Sequence, residues 1–242
     1  MRTLQDSWFI MRSYFRGDKL KVLGDLVLTL LFISYFSGMT SLIGDEVLDG
    51  HKRKMMADFV FLSFMPLLGF SFSRRYMKYW SEDSYTKMLA YLRTLPIPAA
   101  VILTRRKLQM AGSFIINGTI FFIIVYLLGE NFRTELALPS YIAFALTWLG
   151  LGFIVSGFYI FIEYGFSGKA YFWLTLLTLV LSGGISFLVT LGGGNLFLYS
   201  ISCSNEWGLL SPLMWGSLLL GTISVQLFSK WTIHRLKSRD LV

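Results

Sequence analysis

The sequence predicts an all-α polytopic membrane protein. It has six transmembrane helices, an N-terminal amphipathic helix in the interface, and a cytoplasmic helix between spans two and three. Three observations predict this. Apolar residues make up 55% of the 242-residue chain and charged residues only 15%, where a soluble domain carries nearer a quarter. The charges are clumped, leaving apolar windows of about 20 residues, the length a helix needs to cross hydrocarbon. Finally, the basic residues gather in alternate loops, as they do in multi-pass proteins.

Residues 1–242 read as one transmembrane domain. Residues 1–21, "MRTLQDSWFIMRSYFRGDKLK", place Leu4, Trp8, Met11 and Phe15 at helical spacing, with Arg12 and Arg16 off that stripe. This is the pattern of a helix lying in the interface, with Trp8 at headgroup depth and the two arginines anchoring it. The opening residues are too polar for a cleavable signal peptide. Spans one and two occupy 23–72 (Leu23–Ile43 and Met55–Phe72), and Pro66 with Gly69 predicts a kink in the second. A cytoplasmic loop fills 73–107. Within it "SEDSYTKMLAYLRTL" opens on Ser81, Glu82 and Asp83, residues suited to a helix N-terminus, and "LPIP" stops it. Spans three to six fill 108–228, at Leu108–Leu128, Tyr141–Ile162, Tyr171–Leu191 and Leu209–Phe228. Between the last two, 192–208 is too short for two spans and too apolar for a plain loop, so it reads as an external re-entrant or surface-lying segment. A cytoplasmic tail, 229–242, ends the chain.

Orientation follows from the loops. With both termini in the cytoplasm, eighteen of the 22 basic residues fall inside, and only Lys52, Arg53, Lys54 and Arg133 fall outside. The net charge of +8 therefore reads as membrane orientation rather than nucleic-acid binding. The lone Cys203 leaves no disulfide and no Cys-pair metal motif.

Catalytic chemistry finds no support in these residues. "LSGG" at 181–184 matches the start of an ABC ATPase signature, but it lies in an apolar span where small residues serve helix packing. "GFSGKA" at 165–170 lacks phosphate-loop spacing and reads as an inside turn. His51 and His234 lie in opposite loops, too far apart to serve a serine nucleophile or a metal. Asp25, Asp58 and Glu163 sit near span ends, where they are expected to stay hydrated. Asn117 reads as a helix–helix hydrogen-bonding residue. The chain is thus expected to be no enzyme and to hold no cofactor.

The layout resembles the membrane subunit of an ABC type-2 exporter, the permease partner of a separate ATPase. The resemblance is one of architecture across the chain. Its most specific phrase is "LRTLPI" at Leu92–Ile97, with Thr104–Lys107 entering span three. It implies that Ser84–Leu95 is a coupling helix docking in the ATPase, with Ser84, Tyr85, Met88, Leu89, Leu92, Arg93, Leu95 and Pro96 as its coupling residues. Arg105, Arg106 and Lys107 would anchor span three at anionic headgroups. The N-terminal helix would be the family's connecting helix. The implied partners are a cytoplasmic ABC ATPase dimer that binds ATP and Mg, a second permease subunit (itself or a sibling), and membrane lipid. The implied function is export of a peptide, drug or lipid-like substrate across a bacterial plasma membrane. The route would lie at the dimer interface, lined by spans two and five. The alternatives are an ion-coupled carrier and a non-transporting immunity or sensor subunit. Few ionisable groups near the midplane count against the carrier.

Overall fold

The computed structural model describes residues 2–15, 19–50, 54–70, 86–87, 90–91, 94 and 97–238. Among them every regular element is helical, and no strand occurs. Within the described residues five helices are long and apolar enough to cross a membrane, and the chain is a multi-pass membrane protein. In hydrocarbon every backbone N–H and C=O needs an internal partner, which a helix supplies from its own chain.

The first helix, α1 (Arg2–Phe15), packs on the start of α4 (Ala99–Leu128). The face it turns inward is that of Ser7, which is fully buried and donates to the carbonyls of Thr3 and Val101, the latter at 3.0 Å. Leu4 and Trp8 stay exposed, Trp8 by 57%, so these two residues of the apolar stripe are free to meet lipid.

Helix α2 (Lys19–Leu48) runs unbroken for 30 residues, roughly 45 Å at 1.5 Å per residue, and so outreaches a hydrocarbon core of about 30 Å. The second segment behaves differently. Helix α3 (Lys54–Phe64) tightens into a 3₁₀ turn over Met65–Gly69, with Pro66 in its first turn, and the backbone is extended at Phe70. Its 16 helical residues rise only about 26 Å. The kink expected at Pro66 and Gly69 is therefore a change of helix type followed by a break.

Helix α4 begins at Ala99, directly after Pro98, whose carbonyl accepts from the amides of Val101 and Ile102. It starts well before the expected Leu108, so Arg105, Arg106 and Lys107 lie inside the helix rather than ahead of it. A short α5 (Glu130–Glu135) leads to α6 (Leu138–Gly165) and α7 (Gly168–Leu191). The 192–208 segment is neither a loop nor a span. It contains α8 (Leu196–Trp207), whose 12 residues reach about 18 Å. Helix α9 (Pro212–Ser238) completes the bundle.

The bundle has two distinct ends. At one, Leu48, Lys54, Leu128, Leu138 and α8 come together, and rings from four elements form an aromatic core. Phe61 lies 4.7 Å from Trp148 and 5.2 Å from Phe197, while Phe132 and Phe144 close the cluster. Trp148 donates to Ser200 Oγ at 3.0 Å, so the buried indole N–H is paired. At the other end lie α1, Ala99, Gly165 and the end of α9. Helices α6 and α9 pack most closely, because small residues face one another along their seam. A Cβ on Gly157 would stand 2.9 Å from Ser224 Oγ, and one on Gly221 would stand 2.8 Å from the Gly150 carbonyl oxygen. Ser224 adds a hydrogen bond to the carbonyl of Ile154 at 2.7 Å. Lipid is as apolar as leucine, so this close approach, rather than a hydrophobic effect, holds such a pair together.

Candidate functional site

Among the described residues, the buried charged and amide side chains Asp58, Asn117, Arg106 and Glu163 fall in three places. The first is the capped end. Asp58, fully buried on α3, accepts from the amides of Leu196 and Phe197 at 2.9 and 2.8 Å. Asn195 Oδ1 accepts from Leu198 N, and its Nδ2 donates to the carbonyl of Lys54. Together they satisfy the free amides that open α8, and the carboxylate meets the positive end of the helix dipole. Asp45 does the same for α5, accepting from Glu130 N at 3.0 Å, while Asn131 donates to Asp49 and to the Asp45 carbonyl. The expectation that Asp58 stays hydrated is thus overturned. Its solvation comes from a helix terminus.

The second place is the break after α3. Asn117, buried on α4, donates from Nδ2 to the carbonyls of Leu68 and Phe70 at 2.9 and 3.0 Å. Ser156 on α6 lies 3.4 Å from the Pro66 carbonyl oxygen. The Leu68 and Phe70 carbonyls lie at and beyond the end of the 3₁₀ turn, where the turn itself supplies no donor, so Asn117 of a neighbouring helix pairs them, while the proton of Ser156 goes chiefly to the Gly152 carbonyl at 2.9 Å. Asn117 is the interhelical hydrogen-bonding residue the sequence led one to expect, and its partner is broken backbone.

Beside the break a cleft of about 230 Å³ opens between α3 with its 3₁₀ turn, α6 and α7. Its walls are mainly Leu62, Pro66, Leu67, Val155, Leu176 and Leu179, with hydroxyls from Ser63, Tyr159, Thr175, Thr178 and Ser182. Among the described residues, no lysine, arginine, histidine or carboxylate lines it. Ser182 of "LSGG" thus belongs to the cleft wall, donating to the Thr178 carbonyl at 3.0 Å. Gly183 meets only the Phe59 ring, and Gly184 faces open space, so close packing within the chain does not explain that glycine. The other motif, "GFSGKA", forms the turn into α7, where Ser167 caps the helix through Ala170 N.

The third place is the basic end. The sequence placed Arg106 at lipid headgroups, but its guanidinium turns inward. Arg106 Nε lies 2.9 Å from Glu163 Oε2 and 3.3 Å from Oε1, and both side chains are almost fully buried. The guanidinium also lies 5.3 Å from the Phe70 ring centroid, and Phe70 packs edge-on against Tyr159. Glu163 is correspondingly buried rather than hydrated. A charge this deep needs an opposite charge, and the two helices supply one each. Arg235 of α9 closes the same end, donating to the Gly165 carbonyl at 3.0 Å over the Phe166 ring. Arg105 and Lys107 are partly exposed on α4.

The coupling residues Ser84, Tyr85, Met88, Leu89, Leu92, Arg93, Leu95 and Pro96 lie outside the described residues, as does Arg16. Between them Thr86, Lys87, Ala90, Tyr91 and Thr94 are helical, with Tyr91 exposed and Thr94 Oγ1 donating to the Tyr91 carbonyl at 2.8 Å. Arg12 lies on α1, and Trp8 faces outward from it. The described residues contain no group of three His, Cys, Asp or Glu side chains placed to hold a metal. The opposite charges of Arg106 and Glu163, near matching ends of successive apolar segments, were the one sequence signal for the buried pair. Nothing local signalled the cleft. Comparisons with family models, with curated proteins and with solved structures return no match to this chain.

Proposed function

We propose that this chain is the permease subunit of an ATP-driven exporter. It crosses the plasma membrane six times with both termini in the cytoplasm, and separate ABC ATPase subunits energise it. The observation that carries the reading is the broken second segment, which lines an uncharged cleft against α7. Irregular backbone at membrane depth is tolerated where it lines a cavity or is held by protein, and transporters use such breaks at substrate sites. The loop that would dock the ATPase joins Phe70 to Ile97. Phe70 and Arg106, near its two ends, touch each other and reach Glu163. A push on that loop would therefore arrive at the break and at the cleft wall through Tyr159. The uncharged cleft also favours this reading over an ion-coupled carrier, which needs a titrating or cation-binding group in its site.

The test is capture of ATPase by the permease in detergent. Leu89→Asp places an unpaired charge in the docking contact, where truncating one central anchor commonly costs about 2 kcal/mol or more. The variant is expected to insert normally, to lose its ATPase and to stop transport, while Lys87→Gln changes little. Unchanged capture and transport by Leu89→Asp would remove the helix from the mechanism.

A further inference from the structure

We propose that the cleft between α3, α6 and α7 binds an uncharged amphiphile whose polar group is a hydroxyl. The absence of charge comes first. Among the described residues the lining is aliphatic, aromatic and hydroxylic, and a carboxylate or ammonium buried against them would find no counter-charge to offset its lost hydration.

The hydrogen bonds then fix the kind of polar group. Thr178 Oγ1 donates to the Thr175 carbonyl at 2.7 Å, so the proton it shares with Tyr159, also at 2.7 Å, is the phenol's. Thr175 donates to the Tyr171 carbonyl, and Ser182 to the Thr178 carbonyl. These four hydroxyls have committed their protons to the protein, and what they can still offer a ligand is oxygen lone pairs. A ligand reaching them must bring a donor. The Ser63 hydroxyl in the same wall is unpaired, but its oxygen is shut off from the cleft and offers a ligand nothing. A ligand hydroxyl brings the donor that the other four oxygens can accept from, whereas an ether, an ester or a hydrocarbon brings none.

Size and access set the rest. The volume exceeds the roughly 150 Å³ of a dry cavity that holds benzene, but it is too small for a whole lipid. Leu176 and Leu179 in the α7 wall are partly exposed, and of all α7 only Gly168, Tyr171 and Ser186 are buried. The cleft is thus open along α7, where an alkyl tail can run beside Leu176 and Leu179 while the hydroxyl sits inside. Calling this occupant the transported molecule rests on the exporter reading. Its binding does not.

The experiment uses the full chain in phosphatidylcholine nanodiscs without ATPase. Three photoactivatable probes of one chain length are compared: a long-chain alcohol, its methyl ether and the matching carboxylate. Cross-linked peptides are mapped by mass spectrometry. The alcohol is expected to label 62–67 and 172–182, with the ether weaker by about tenfold, the value of one net hydrogen bond, and the carboxylate weaker still for want of a counter-charge. Leu179→Trp, which fills the cleft, is expected to abolish the labelling, whereas Leu181→Trp, exposed on the same helix outside it, leaves it intact. Tyr159→Phe, which keeps the ring, is expected to shrink the preference for alcohol over ether. Equal labelling by alcohol and ether, or alcohol labelling that survives Leu179→Trp, would overturn the proposal. Leu89→Asp retaining its ATPase would defeat the exporter reading and leave these results untouched.

Discussion

Removing Arg106 tests whether the basic end is dry. In Arg106→Ala, Glu163 keeps a side chain only 2% exposed and loses the cation 2.9 Å away. Breaking a buried pair by deleting one partner costs about 3–5 kcal/mol, because the remaining charge stays desolvated. Loss of the guanidinium over Phe70 at 5.3 Å adds about 0.5–2 kcal/mol. A total of about 5 kcal/mol is therefore expected. Glu163→Gln should cost a similar amount, since its amide can still accept from Arg106 but leaves the buried guanidinium without a counter-charge. The double variant Arg106→Met with Glu163→Leu removes both charges and refills the space, so it should recover most of the loss. The assay is reversible unfolding in mixed micelles by titration with sodium dodecyl sulfate, on wild type, each single variant and the double. A hydrated surface pair is worth about 0–1 kcal/mol. An Arg106→Ala cost below about 1 kcal/mol, or a double variant no better than the worse single, would place this pair in water and refute the buried latch.

Asp58→Ala strips two buried amides of their acceptor and should lower stability in the same titration by about 2–3 kcal/mol, with Asp58→Asn intermediate. A loss below about 0.5 kcal/mol would show that α8 does not depend on this cap. Gly157→Leu forces a side chain into Ser224 and should cost about 1–3 kcal/mol or more, while the same change at Gly24, which meets nothing, should be nearly silent. Cysteine labelling from outside intact cells should modify a cysteine placed at Thr134 and spare one at Ser238, in a Cys203→Ser background. Labelling at Ser238 would reverse the orientation.

The long apolar helices were legible because twenty apolar residues in a row have one physical solution in a bilayer. Their ends were less so. Charges marked where hydrophobicity stops, not where the helix stops, so α4 runs back through Arg105, Arg106 and Lys107 to Pro98. Pro66 and Gly69 announced an interruption, but the 3₁₀ turn and its closure by Asn117 depend on a helix some fifty positions away, beyond any local pattern. The same is true of Asp58. Its carboxylate looked like an interfacial group because the partner amides appear much later in the chain. The apolar character of 192–208 already excluded a plain loop, and Asn195 followed by "LFLYSIS" is a recognisable helix start that could have placed α8 within it.

That late partner bears on how the protein is made. The acceptor on α3 and the amides it serves are separated by 138 and 139 positions. When the second segment leaves the ribosome, the peptide that will solvate Asp58 does not yet exist. A short, broken helix carrying a bare carboxylate is a poor substrate for lateral release into lipid. This segment is therefore expected to wait beside the insertion machinery, or to slip back toward water, until α8 emerges and docks. Biogenesis would then be gated by the emergence of α8, and a nascent chain stalled before Asn195 should leave its second segment accessible to aqueous reagents.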